Sequence, residues 1–409
     1  MTTETMPRSG TKAYRRGTHR ACAPAETFER FRRHMKACGI TRIADITGLD
    51  TIGIPVLVGV RPNSKGLSSS QGKGLDVDAA RTSALMEAFE SWHGENIVAS
   101  GHYCRGAEAE QVYGVGTVDV SGLPRRGTRM AWYREALHFW LLGTELLTSR
   151  PILVPFDAVS SDFTGNFGRS PLIRTTNGQA SGNSVMEATL HGLYEVAERD
   201  AVSAWAPTAG PGDEIIDPAS VRDSYNGELL ERIRRAGLGT LIRRVPSDFG
   251  IPVFAVALAP IGPAARPPFA AFSGYGAHLD PKVALARAIT EAVQSRLTVI
   301  HGGRDDLWPS EYARVLDHRA VSLWIARIRD MEPNAAFSSI PDRSGESFRT
   351  DLDTVLAGFR GQVDTIAVVD LSREELAIPV VKVVVPGLLG VPFDTRPRSQ
   401  ARLRKRTTP

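Results

Sequence analysis

The chain has 409 residues, 42% of them apolar, with a formal net charge of +4, which supplies a sizeable core without disulfide or metal staples. Its three cysteines, Cys22, Cys38 and Cys104, are odd in number and lack CxxC or Cys/His spacing, which argues against a disulfide framework or zinc site and fits a reduced, cytoplasmic setting. Residues 1–20 are polar and basic without an apolar h-region, and no stretch approaches the ~20 apolar residues of a membrane span, so neither secretion nor membrane insertion is expected.

Much of the positive charge lies at the ends, in Lys12, Arg15, Arg16 and Arg20 and again from Arg396 to Arg406. No aromatic residues interleave with it in the manner of a nucleic-acid surface, so residues 393–409 read as a basic, disordered tail. Residues 1–50 read as an N-terminal extension with a short amphipathic helix over Thr27 to Cys38. The catalytic body is expected over residues 51–392. It opens with a strand at Ile54 to Val60, a flexible loop at Ser68-Ser-Ser-Gln-Gly-Lys-Gly74, and a long helix capped by Asp76 or Asp78 and ending near Glu95. A strand at Pro151 to Pro155 follows, then a Thr/Asn/Gly/Ser loop from Arg174 to Asn183 that feeds a second long helix, Ser184 to Trp205. Strands at Ile251 to Ala259 and Phe269 to Tyr275 lead to a third helix, started by Asp280-Pro281 and ending near Ile300. Thr365 to Asp370 and the β-branched run Ile378 to Val385 read as strands, the latter buried.

The three long helices carry acidic stripes. Ser83, Glu87 and Glu90 stand at i, i+4 and i+7 on the first, among alanines, Leu85, Met86 and Phe89. Asn183 and Ser184 open the second, which presents Glu187, Glu195 and Glu198, followed by Arg199. On the third, Arg287, Glu291 and Gln294 repeat the spacing, with Arg296 behind. An ionised carboxylate buried without a cation costs several kcal/mol. Glutamates on buried faces with arginines nearby therefore suit a polyphosphate held by Mg²⁺, since the hard cation takes carboxylate and phosphate oxygens and arginine grips phosphate. Ser184 and Glu187 also have capping-box spacing, and Arg287 with Glu291 that of a surface ion pair; repetition on three helices favours a shared site. The Gly66 to Gly74 segment lacks P-loop register, yet Lys73 within it is a candidate phosphate contact. No nucleophile with a base partner is recognisable.

These motifs, Ser-x3-Glu-x2-Glu, Asn-x3-Glu with a later Glu-x2-Glu-Arg, and Arg-x3-Glu-x2-Gln, resemble those of the YcaO family. The resemblance implies an α+β, YcaO-type mixed fold, with β-sheets and long buried helices around a non-P-loop ATP cleft. Glu87, Glu90, Glu187, Glu195, Glu198 and Glu291 would bind Mg²⁺, while Lys73, Ser83, Asn183, Arg199, Arg287, Gln294 and Arg296 would hold the nucleotide. Family enzymes add a nucleophile to a peptide carbonyl, phosphorylate the oxyanion with ATP and eliminate phosphate. The chain departs from the family pattern at Ser91, where arginine usually follows the second glutamate. Its wording around Ser83 to His93, Gly39 to Asp50 and Pro379 to Gly387 is similar to the TfuA-associated branch, and the tail lacks the proline-rich ending of azoline-forming members. The resemblance thus implies ATP-dependent thioamide formation on a ribosomally made precursor peptide with a TfuA-like partner. Azoline-forming cyclodehydration and a non-catalytic binding role are the alternatives; a homodimer is left open.

Overall fold

The computed structural model describes residues 10–98, 102–105, 108–125, 137–164, 170–261, 269 and 271–390; the tail expected over 393–409 lies outside them. The N-terminal helix, α1 (Pro24–Phe31), starts with a proline in its first turn and tightens after Phe31 into a short 3₁₀ turn. It begins and ends earlier than its apolar spacing suggests.

Strands β1 (Arg42–Asp45), β2 (Val56–Val60) and β3 (Ser69–Lys73) form an antiparallel sheet in that order, followed by helix α2 (Val77–Glu95). Strands β4 (His102–Arg105), β5 (Leu137–Glu145), β6 (Arg150–Pro155) and β7 (Gln179–Ser181) belong to a second sheet, and β7 feeds α3 (Val185–Trp205). Strands β8 (Glu214–Ile216), β9 (Leu238–Val245), β10 (Val253–Pro260) and β11 (Phe272–Ala277) make a third, ordered β11-β10-β9-β8. Helices α4 (Pro281–His301), α5 (His318–Asp330) and α6 (Phe348–Phe359) follow. Then β12 (Ala367–Asp370) and β13 (Val380–Val384) complete the second sheet as β4-β5-β12-β13-β7, with β6 on β5. Sheets and helices are thus mixed as expected of an α+β chain.

One arrangement is repeated three times. β3, β7 and β11 each lie at the edge of a sheet, and each runs through three residues, 74–76, 182–184 and 278–280, into α2, α3 and α4. The third residue of each connection caps the helix: Asp76 accepts from the Ala79 N–H, Ser184 from Glu187 and Asp280 from Lys282. The segment read as a flexible loop, Ser68 to Gly74, is therefore a buried strand for most of its length, and the loop expected before Ser184 contains β7. Serine, glycine and glutamine have little strand propensity, but here the glycines let helix backbone approach. A Cβ on Gly72 would fall on the Ala84 nitrogen and the Ala80 carbonyl of α2, and one on Gly274 would meet Ala292 and Ala288 of α4 in the same way. Backbone cannot yield cheaply, so Gly72→Ala is expected to cost about 2–3 kcal/mol by overpacking, read from chemical denaturation.

β13 explains its own composition. Val380 and Val384 join the core that contains Leu85 and Phe89 of α2, while Val381 and Val383 join that of Leu193 and Val196 of α3. A third core links Val56 and Val58 of β2 with Ile289 and Val293 of α4 and Phe254 of β10.

Residues 10–21 pack into the body. The Lys12 ammonium donates to Asp351 of α6 at 2.5 Å, with both side chains fully buried, and to the Gly345 carbonyl at 2.9 Å. Further along, the Arg20 guanidinium reaches Glu187 of α3 at 3.1 Å. No helix among the described residues is long and apolar enough to cross a membrane.

Candidate active site

Three sheet edges and three helix faces converge on one acidic recess. Edge-strand backbone donors point at its carboxylates. The Ser181 N–H of β7 gives a 2.8 Å hydrogen bond to Glu90 of α2, and its hydroxyl donates to the same oxygen at 2.6 Å. The Tyr275 N–H of β11 donates to Glu291 at 3.3 Å, and the Gln71 N–H of β3 to Glu87. Lys73, at the end of β3, crosses to Glu291 of α4 at 2.5 Å.

The carboxylates act on one another. Burial pushes Glu87 up to about 7, with Lys73 and Arg304 opposing and Glu195 reinforcing. Burial likewise lifts Glu90 to about 7 despite its Ser181 hydrogen bonds, and Glu87 adds repulsion. Glu195 is raised by burial against the pull of Arg199, and Glu198 by burial and the charge of Glu291. Burial would raise Glu291 too, but Lys73 and Arg199 hold it below the usual range. Five glutamates from α2, α3 and α4 thus share one field, in which burial outweighs the pull of the neighbouring cations for all but Glu291. Glu87 is desolvated enough for burial to dominate and yet keeps an exposed side chain, as does Arg199. Both therefore line an open recess rather than a sealed core.

The sixth glutamate, Glu187, is buried and held by Arg20, by the Ala21 N–H at 2.9 Å and by Asn183 at 3.3 and 3.4 Å. Asn183 in turn accepts from Thr27 of α1 at 3.0 Å. Ser184 bonds the Glu187 N–H, but the Glu187 carboxylate turns to Arg20, so half of the capping box forms. Arg20 also acts on Glu90, which joins this second group to the recess. Arg287 approaches His191 at 3.5 Å, and its Nε is buried without a hydrogen-bond partner among the described residues. Ser83 stands one turn before Glu87, half-buried. Gln294 and Arg296 are engaged elsewhere: Gln294 donates to the Gln71 carbonyl at 2.5 Å, and Arg296 pairs with buried Asp50 at 2.9 Å. Ser91 bonds back to the Glu87 carbonyl of its own helix at 3.1 Å.

Sequence reasoning missed four members. His191 lies four residues from both Glu187 and Glu195, so helical spacing would have found it; burial and then Arg287 keep its imidazole well below the ordinary value. Arg20 and Arg304 carry no spacing signal. Lys382 of β13 is fully buried, lowered to about 8 by burial, and feels Glu195.

Raised carboxyls have a measurable consequence. In the folded, metal-free protein Glu87, Glu90 and Glu198 hold protons that the unfolded chain has released, so stability falls as pH climbs from the unfolded values through about 7, and Glu195, raised as well, acts in the same direction. The histidines whose values burial lowers act in the opposite sense, below pH ~6.5 and with diminishing weight up to pH ~7.5, and Lys382 acts mainly above pH ~8. Between pH 6.5 and 7.5 the metal-free melting temperature is expected to drop by about 1 °C, the carboxyls outweighing the histidines, and added Mg²⁺ to raise it more at the higher pH. A melting temperature that rises over this window in metal-free protein would show that burial does not raise these carboxyls.

The donor set fits a metal-bound polyphosphate: carboxylate oxygens gathered from three helices, an exposed arginine and a buried guanidinium nitrogen without a hydrogen-bond partner among the described residues. The comparisons agree. A protein of Rhizobium leguminosarum bv. trifolii described as lying in the tfuA 3′ region is 36% identical over 387 residues, covering 90% of this chain and 88% of that protein. The structure of YcaO from Methanopyrus kandleri bound with AMPPCP and Mg²⁺ superposes with a TM-score of 0.72 at 23% identity, covering 93% of this chain and 94% of that one. A heterocyclase in complex with substrate and cofactor gives a TM-score of 0.72 at 20% identity, over 94% of this chain and 54% of that one. The sequence model described as YcaO cyclodehydratase, ATP- and Mg²⁺-binding, matches residues 71–389. The chain belongs to the YcaO family.

Proposed function

We propose that this chain is an ATP-dependent enzyme that activates a backbone amide of a ribosomally made peptide by O-phosphorylation, and that sulfide supplied with a TfuA-like partner then yields a thioamide. The observation that carries the activation step is the convergence of Glu87, Glu90, Glu195, Glu198 and Glu291 from three helices on one open recess. When bound, Mg²⁺·ATP supplies the phosphoryl group that turns an amide oxygen into a leaving group. Those five carboxylates would hold the metal, with Glu187 joining them where Arg20 gives way. Lys73, Arg199 and Arg287 would hold phosphate oxygens, and Ser83 and Asn183 the rest of the nucleotide. Gln294 and Arg296 position α4 through Gln71 and Asp50. Fixed cations beside the reacting oxygens offset developing charge without reorganisation.

The relative beside tfuA supports the sulfur-transfer branch; the cyclodehydratase description of the family supports azoline formation as the second reading. Intact mass of a candidate precursor peptide separates them, after incubation with the protein, a TfuA-like partner, ATP, Mg²⁺ and sulfide. Exchange of one oxygen for sulfur is the expected result. Loss of one water would assign azoline formation, and an unchanged mass with no phosphate release, on a verified substrate and partner, would sink both.

A further inference from the structure

The face of the β8–β11 sheet turned away from α4 holds a cavity of about 600 Å³, within the ~300–1,000 Å³ range of small-ligand sites, that the recess itself does not use. Strand register builds it. Ala255 of β10 stands between Arg243 of β9 and Tyr275 of β11, and Ala257 between Leu241 and Ser273. Two alanines flanked by larger side chains leave a depression in the sheet. Its walls are Trp205 at the end of α3, Trp324 of α5 and Met331 just beyond α5. The other face of β11 is closed, since Gly274 and Gly276 seat directly on α4.

Tyr275 joins the cavity to the acidic recess. Its side chain lines the cavity and feels the charges of Glu291, Arg199 and Glu198, while its backbone N–H donates to Glu291. Several polar groups of its lining are engaged by Asp213 and its neighbours. Asp213 accepts from the Trp205 indole at 3.0 Å and pairs with Arg243 at 3.0 Å. Asn334 spends its oxygen on the Ile215 N–H at 2.8 Å and its nitrogen on the Asp213 carbonyl at 3.0 Å. The Arg327 guanidinium lies 5.1 Å from the centre of the Trp324 ring. These paired groups offer a nucleobase little of the donor and acceptor edge it needs, and Arg327, Asp330 and Glu332 are the other charged groups that line the cavity. The flat walls of Trp205 and Trp324 over Ala255 and Ala257 suit an apolar or aromatic side chain.

We infer that this cavity is a specificity pocket for the acceptor peptide, taking an apolar or aromatic side chain beside the amide to be activated, against Ala255 and Ala257 and between Trp205, Trp324 and Tyr275. The inference rests on the peptide-activating function proposed above. Its test uses a blocked pentapeptide with one central phenylalanine and glycine elsewhere, titrated into the full chain with Mg²⁺ and AMPPCP and followed by saturation-transfer NMR. The phenyl protons are expected to receive saturation, and an all-glycine peptide is not. Ala257→Trp, which fills the depression, is expected to weaken binding by about tenfold or more with AMPPCP affinity unchanged. Ala255→Leu serves should the first variant fail to fold. Equal binding by a folded variant, displacement of the peptide by adenosine, or no peptide binding while AMPPCP binds normally would each overturn the pocket. Failure of AMPPCP to bind the wild-type chain would instead count against the nucleotide site, and the titration without nucleotide would still decide the cavity.

Discussion

Glu195→Gln is expected to reduce peptide-dependent phosphate release from ATP by more than about 100-fold while leaving the fold intact. Glu195 stands at the centre of the acidic field. It raises both Glu87 and Glu198, is itself raised by Glu90, and faces Arg199 and Arg287. The amide keeps its volume and loses its charge, so a metal would lose a ligand without a cavity appearing. The same change relieves repulsion in the metal-free protein, which is expected to melt no lower than the wild type. A variant that retains full turnover would take Glu195 out of the site; one that unfolds would show the carboxylate to be structural.

Lys12→Met is expected to destabilise the protein by about 3–5 kcal/mol, the cost of leaving one member of a buried ion pair alone. Both side chains of the Lys12–Asp351 pair are fully buried. His19, His278 and Asp351 bring ligand atoms within 4.8 Å of one another, and the Lys12 ammonium, 2.5 Å from Asp351 and 3.2 Å from His19, supplies the positive charge of that group. Removing it leaves Asp351 with the Gly345 N–H at 2.7 Å and the Tyr194 hydroxyl at 3.5 Å. The double variant Lys12→Met/Asp351→Leu should recover much of the loss, because two apolar groups replace two charges. Urea denaturation reads both numbers, and a single-variant cost under about 1 kcal/mol would show that the N-terminal segment is not clamped there. Because Arg20, which holds Glu187, lies on the same N-terminal segment, loss of the clamp is expected to be felt in the recess.

What could be read from the chain alone was local. Asp76, Ser184 and Asp280-Pro281 start their helices as cap chemistry requires, and helical spacing alone put Glu87 with Glu90 and Glu195 with Glu198 on common faces. β3 and β7 were hidden because they are strands by tertiary packing. Ser69 to Lys73 pairs with β2 and lies under α2 only because Gly72 has no side chain. Long-range partners were hidden as well. Arg296 looks like a phosphate ligand on its helix, yet its partner Asp50 is 246 residues away, and Glu187 has its cation 167 residues away in Arg20. Charge on a helix face announces that a partner is needed; the fold decides whether a ligand or another side chain provides it. His191 is the exception, legible by its helical spacing from Glu187 and Glu195.

The measurement that tests the central claim most directly is calorimetric titration of AMPPCP into the wild-type chain with and without Mg²⁺, and into Glu87→Gln and Glu195→Gln. Binding is expected to require Mg²⁺ and to be lost in both variants. Nucleotide binding that is indifferent to Mg²⁺, or unchanged when either glutamate is neutralised, would contradict that claim.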